Sequence, residues 1–342
     1  MRKLATIRRI KDIQPIPDAD NIEVATVDGW KVVTRKGEFK IGDLAIYCEI
    51  DSFIPVEVAP FLTPKNQQPK EFDGIKGNRL RTVKLRGQVS QGLLLPINLV
   101  DKPDLSVGDD VTDILGIQKY EPPLPAQLSG EVVGVFPSYV PKTDQERIQN
   151  LTNEITDLVS LSYEVTEKLD GSSMTVIYNN GDFHVCSRNY SLKESKNNSF
   201  WKVARELQLE EKLSILDRNL ALQGELVGEG INKNRYQING QNFYIFDIYD
   251  IDTGCYLSTP NRHKIAKSIF TPHVPVIWDS YKIKEFDNEF DFHYDVQELI
   301  NDADGKSKLN SKTYREGLVY KSLEDPSISF KVISNKFLLK DK

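Results

Sequence analysis

Along the first third of the chain, apolar and polar residues alternate in short runs broken by turn formers. Ile22-Glu23-Val24-Ala25-Thr26-Val27 alternates, Asp28-Gly29 turns, and Trp30-Lys31-Val32-Val33-Thr34 returns. A period of two marks a half-buried strand, and Asp-Gly marks a tight turn. A second turn, Lys40-Ile41-Gly42-Asp43, precedes the apolar run Leu44 to Ile50. Strands this short and this closely spaced, continuing to about Leu115, predict a small OB-like β-barrel. Trp30 and Phe39 read as core residues, with base stacking the alternative. Arg79, Arg81, Lys84 and Arg86 crowd one hairpin region. They form either a phosphate-contact surface or a charged edge that discourages aggregation.

The alternation stops at Glu121-Pro122-Pro123-Leu124-Pro125, where proline disfavours both helix and strand. This divides the chain into a barrel domain at 1–120 and a second domain at 121–342. The second domain opens with Phe136 to Leu151, where Thr143 or Asp144 is expected to cap a short helix with Glu146 in its first turn. Lys142 and Arg147 would then flank a helix N-terminus suited to phosphate. Two β-rich runs follow, Tyr163 to Lys168 and Ser172 to Tyr178, around a tight turn at Asp170-Gly171 with Lys168 just before it. A lysine at such a corner is held by backbone on both sides and is a nucleophile if the site lowers its pKa.

Further apolar runs are each interrupted by one polar residue. His184 to Asn189 ends in Arg188, Leu220 to Gly228 contains Glu225, and Phe243 to Tyr249 is aromatic. Arg315-Glu316 leads Gly317 to Lys321, and Lys331 interrupts the last run, Ser329 to Ile333. A carboxylate within a buried strand is expensive unless partnered, so Glu225 is expected to meet a ribose hydroxyl or a metal-bound water. Helical patterns fall at Asn198 to Leu207, continued by Leu209 and Leu213, and at Asn261 to Phe270 behind Thr259-Pro260. The acidic stretch Tyr281 to Asp304 is expected to be helical in part. Together these describe an α+β chain in which an antiparallel sheet with flanking helices follows the barrel.

Composition narrows this only slightly. With 44 Lys and Arg against 50 Asp and Glu, the net charge of −6 does not mark a nucleic-acid binder, although a basic groove can coexist with an acidic remainder. Three cysteines, Cys48, Cys186 and Cys255, fit neither a disulfide framework nor a zinc site, which points to a reducing, cytoplasmic setting. No signal core or membrane-length apolar run is present. His184, His263, His273 and His293 show no metal-ligand spacing and read as structural or surface residues.

The ordered segments, from Lys168-Leu169-Asp170-Gly171 to Lys331, resemble the covalent nucleotidyltransferase superfamily of ligases and capping enzymes. Within it the chain is similar to the ATP-dependent RNA ligases, most closely the Deinococcus/Naegleria type with an N-terminal OB module, which share Gly37 to Asp43 and Glu49 to Ser52. The resemblance covers essentially the whole chain. It implies ATP as the nucleotide, AMP as a covalent intermediate on Lys168, and Mg²⁺ or Mn²⁺ held near the lysine by Asp170, Glu225 and Glu316. It assigns nucleotide contacts to Glu167, Arg188, Glu225, Phe246 (with Phe243 the fallback for adenine stacking), Glu316 and Lys331. Lys331 would also lower the Lys168 pKa, and Arg147 and Lys142 would clamp pyrophosphate. The partner implied is RNA broken between a 3′-OH and a 5′-phosphate, as a nick or a broken strand, handled by a monomer away from membranes. Ser173 stands where DNA ligases carry arginine, and Asp170 where bacteriophage-type RNA ligases often carry histidine. Ile333 replaces a second lysine of the last motif, for which Lys336 is the candidate substitute. The alternatives are an mRNA-capping guanylyltransferase and a non-catalytic OB-fold RNA-binding protein.

Overall fold

The computed structural model describes residues 3–121, 131–283 and 296–340. The chain separates into two units, Met1–Pro123 and Leu124–Lys340.

In the first unit the alternating runs become β3 (Ile22–Val27) and β4 (Trp30–Arg35), paired antiparallel with Val27 opposite Trp30. The run after the second turn becomes β5 (Leu44–Cys48), the centre of a three-stranded sheet between β1 (Ala5–Arg9) and β11 (Leu93–Pro96). β5 is buried along most of its length, and its Ile46 and Cys48 join Ile7, Leu95 and Val111 in one apolar cluster. Trp30 and Phe39 are both buried, which confirms packing over base stacking. The basic segment is split by the fold. Arg79 ends β8 (Ile75–Arg79), pairs with Asp51 at 2.5 Å and lies over the Tyr120 ring. Lys84 and Arg86 lie on a separate hairpin of β9 (Val83–Leu85) and β10 (Gln88–Ser90).

The second unit holds two sheets. The larger is antiparallel and seven-stranded, with β16 (Ser172–Asn179), β19 (Leu220–Gly228) and β20 (Gln241–Asp250) adjacent near its middle. The smaller is five-stranded, ordered β14-β24-β23-β15-β22, where β14 is Glu146–Arg147, β15 Ser162–Lys168, β22 Val276–Lys282, β23 Gly317–Ser322 and β24 Ser329–Ile333. The two runs around Asp170-Gly171 are therefore not partners: β15 pairs with β22 and β23, whereas β16 pairs with β19 and its neighbour β17 (Asp182–Cys186). The turn after Lys168 carries the chain from one sheet into the other.

Alternation along β15 sorts its side chains onto two faces. Tyr163 and Val165 pack with Leu299 and Ile300 of α5 (Val296–Ala303), while Glu164 meets Arg262 of α4 (Thr259–Ser268). The apolar stripe predicted from Asn198 is two helices. α2 (Ser199–Glu206) is capped by the Asn198 side chain, which accepts from the amides of Phe200 and Trp201. Gln208, at φ 54°, then breaks the axis before α3 (Leu209–Ile215). Neither Thr143 nor Asp144 caps a helix; the first helical turn beyond them, Ile148–Asn150, begins after Arg147. Glu146-Arg147 is instead a strand parallel to β24, because the main-chain groups of β24 offer it a ladder that a short capped helix would forgo. Of the Tyr281 to Asp304 stretch, α5 is helical as expected, while residues 284–295, with His293, lie outside the described residues.

Candidate active site

Lys168 is the last residue of β15, and its register partner on β23 is Gly317. The chains diverge beyond that pair, and in the gap the Lys168 ammonium donates to Glu316 Oε1 at 2.7 Å. A side chain on Gly317 would put its Cβ 2.2 Å from the Val332 carbonyl oxygen, so glycine lets β23 lie close to β24 behind the site. Gly171 meets the same demand on the other side. A Cβ there would lie 2.3 Å from the Leu226 carbonyl oxygen and 2.9 Å from Glu225 Cγ. The turn thus sits directly on β19, where the Gly171 amide donates to Glu225 Oε1 at 3.0 Å.

Three carboxylates thereby surround one ammonium. Burial pushes the Glu225 pKa up to about 8, with Lys168 drawing it down and Glu316 raising it. Glu316 is raised by burial too, against the pull of Lys168. For Lys168, burial acts downward, but Glu316, Glu225 and Asp170 together leave its pKa above the ordinary lysine value. With these side chains alone acting on Lys168, the direction is opposite to the expected lowering. Lys331 bears on Glu316, whose carboxylate form it favours. Glu225 and Glu316 offer oxygen donors of the kind a hard divalent cation takes. Asp170 is partly committed elsewhere, its Oδ1 accepting from Asn232 at 2.7 Å and its Oδ2 from Arg235 at 2.6 Å.

The basic residues gather on one side. Arg147 on β14 is the register partner of Lys331 on β24, so both side chains leave the sheet on the same face. Lys331 lies 3.3 Å from Asp144 Oδ1, and Arg188, in the loop after β17, lies 3.2 Å from Asp144 Oδ2. Lys142 donates to Asn189 Oδ1 at 3.0 Å, which keeps it beside Arg188 rather than at a helix end. Asp144 thus holds two cations side by side.

Phe246 and Phe243 have different fates. Phe243 is fully buried in the core beneath the large sheet. Between Gln223 and Gly224 the ladder skips a residue of β20, from Asp247 to Ile245, and Phe246 is the bulged residue. A bulge re-aims its side chain, and Phe246 stays half-buried beside Leu169, Tyr236 and Val274. That supports Phe246 over Phe243 as a stacking surface. Glu167 does not join the carboxylates. It is buried, with Oε2 accepting from the Lys308 amide at 2.7 Å and its pKa raised by burial. Lys336 pairs with Asp304 at 3.7 Å.

Several charged groups escaped the sequence reading. Asp247 and Lys321 form a buried ion pair between the two sheets. Glu164 pairs with both Arg262 and His263, and Arg262 Nε donates to His273 Nε2 at 3.1 Å. Donor atoms of Glu164, His263 and His273 lie within 4.8 Å of one another, but the Arg262 guanidinium already serves as the cation for Glu164. The rule applied to Glu225, that a charge in an apolar strand needs a partner, would have flagged Glu164, Asp247 and Lys321 as well.

The comparisons with known proteins agree with this geometry. An OB-fold domain model matches residues 4–97, and an RNA ligase model matches residues 161–333. Structures of Naegleria gruberi RNA ligase are similar over nearly the whole chain. A mutant with ATP and Mn and another with AMP and Mn each share 46% identity, cover 98% of both chains and give a TM-score of 0.89. The complex with pyrophosphate shares 46% identity, covers 99% of this chain and 98% of its own, also at 0.89. No curated protein matches. These likenesses carry the RNA ligase reading and lend nothing to the capping or non-catalytic alternatives. With a family model spanning half its length and 46% identity to solved structures over 98% of it, this chain belongs to the RNA ligase family.

Proposed function

We propose that this ATP-dependent RNA ligase works through a lysyl-AMP intermediate on Lys168 and seals RNA between a 3′-OH and a 5′-phosphate, at nicks in a duplex. The observation that carries the reading is the Lys168 amine at 2.7 Å from Glu316, beside Glu225, with Arg147, Lys331 and Arg188 ranged on one side.

In the first step Lys168 Nζ forms a bond to the α-phosphorus of ATP, and the bond to the pyrophosphate oxygen breaks. Next the 5′-phosphate oxygen of the RNA displaces the lysine and takes AMP. Finally the 3′-OH attacks the activated 5′-phosphorus, AMP leaves, and a phosphodiester forms. Each step exchanges groups at phosphorus, so alignment and charge neutralisation carry most of the catalysis. Phe246 offers a stacking face to adenine. Arg188 and Lys331 hold ribose and α-phosphate, taking over from Asp144. Arg147 and Lys142 hold the leaving pyrophosphate. Glu225 and Glu316, with Asp170, are the residues that would hold a divalent cation, which would supply positive charge against the phosphates and against the carboxylates that keep Lys168 protonated. Residues 121–342 carry this chemistry, and residues 1–120 hold the RNA. Among the described residues no helix is long and apolar enough to cross a membrane, and we place the enzyme in the cytoplasm as a monomer.

The test is incubation with α-labelled ATP and Mn²⁺, followed by denaturing electrophoresis. Wild type should carry a covalent label that Lys168→Ala lacks and that labelled GTP does not supply. A label persisting in Lys168→Ala would overturn the assignment.

A further inference from the structure

Beyond Lys168 and Gly317 no ladder bond joins the two chains that carry the reacting lysine and Glu316. What spans that gap is the segment Asn232 to Tyr236. Its first three residues, Asn232, Lys233 and Asn234, take φ of +42°, +59° and +46° in succession. Single asparagines visit this left-handed region readily, whereas a run of three that includes a lysine persists only where the surroundings impose it.

The surroundings are the turn after Lys168 on one side and the approach to Glu316 on the other. Asn232 Nδ2 donates to Asp170 Oδ1 at 2.7 Å and to the Gly171 carbonyl at 2.9 Å. Tyr236 Oη accepts from the Asp170 amide at 2.7 Å. Arg235 bonds Asp170 Oδ2 at 2.6 Å through one terminal nitrogen and the Tyr314 carbonyl at 3.2 Å through the other. Tyr314 stands two residues before Glu316. The Arg235 guanidinium also lies 4.4 Å from the ring centroid of Phe337, and its own carbonyl accepts from Asn310.

We infer that Arg235 is a positioning residue for adenylyl transfer, fastening the Lys168 turn to the strand that brings Glu316, with Asn232 and Tyr236 completing the clasp. The inference rests on the assignment of Lys168 as nucleophile given above. A planar guanidinium presents separate donors in fixed directions, so it can hold a carboxylate and a carbonyl at once. A lysine offers a point charge to Asp170 and cannot fix the second chain. The role is exerted through Asp170, Gly171 and Tyr314, and both terminal nitrogens of the guanidinium are engaged on the two segments.

The experiment is single-turnover formation of the lysyl-AMP adduct with Mn²⁺ over a range of ATP concentrations, for wild type, Arg235→Gln, Arg235→Lys and Asn232→Gly. Arg235→Gln should reach nearly full labelling amplitude with a rate constant at saturating ATP at least tenfold lower, while the half-saturating ATP concentration stays within threefold. Arg235→Lys should fall between it and wild type. Asn232→Gly, which keeps the backbone conformation and removes two bonds, should slow the step two- to fivefold. It decides the matter if Arg235→Gln fails to fold. Rate constants within twofold of wild type, or a loss confined to amplitude, would show that the clasp serves folding alone and would overturn the inference while leaving Lys168 in place. Absence of a Lys168-dependent adduct in wild type would instead overturn the assignment beneath it.

Discussion

Replacing Lys321 by methionine while leaving Asp247 in place tests whether the two sheets are joined by a buried charge pair. Lys321 lies on β23 beside β15, the strand that ends in Lys168, and Asp247 lies on β20 next to Phe246; their side chains are 7% and 2% exposed. Burial lowers the Lys321 pKa, with Asp247 opposing it. Glu164, the register partner of Lys321, is itself paired with the buried Arg262. Removing one partner of such a pair leaves a charge in a low-dielectric interior and costs about 3–5 kcal/mol. For a unit of this size, about 2–4 °C per kcal/mol gives a fall in Tm of roughly 6–20 °C. The attraction only offsets the desolvation of both ions, so Asp247→Leu with Lys321→Met should recover most of that loss. By contrast Lys202→Ala, which breaks an exposed pair with Glu206 on α2, should cost no more than about 0.5 kcal/mol. The assay is urea unfolding of the single and double variants followed by far-UV circular dichroism. A single variant within 1 kcal/mol of wild type, taking that as about the worth of a surface pair, would refute the reasoning. So would a double variant as unstable as the single one.

Two further outcomes follow from the site. His273 is held neutral, donating through Nδ1 to the Val274 carbonyl and accepting from Arg262, and burial lowers its pKa from 6.5 to about 4. Between those values the unfolded chain binds a proton that the folded one does not. The stabilising contribution is therefore complete above pH 6.5 and is lost as pH falls toward 4, by about 3 kcal/mol at most. His273→Gln should flatten the pH dependence of unfolding across that window, and an unchanged slope would refute this reading. Phe246→Ala should raise the half-saturating ATP concentration by about 5- to 150-fold, the worth of one base stacked on one ring. Phe246→Tyr should stay near wild type, and adenylylation kinetics read both.

The sequence by itself determined strands such as β3, β4, β5 and β16, because alternation and apolar runs record which face of a strand is buried. It also singled out Lys168 as the proposed nucleophile, through the resemblance carried by Lys168-Leu169-Asp170-Gly171 and the ordered segments after it. It could not determine that the runs flanking Asp170-Gly171 belong to different sheets, since a turn looks the same whether the strands it joins pair or part. Nor could it place Arg147 on a parallel strand beside Lys331, join Asp247 to Lys321, or bring Arg235 across from Asp170 to Tyr314. Those pairings cross 184, 74 and 65–79 residues of chain. They depend on where sheets and loops come to rest, and charge placement at a distance leaves no periodic trace along the chain. Tertiary structure therefore decided how the candidate site residues are held, where the ordered segments of the sequence had nominated them.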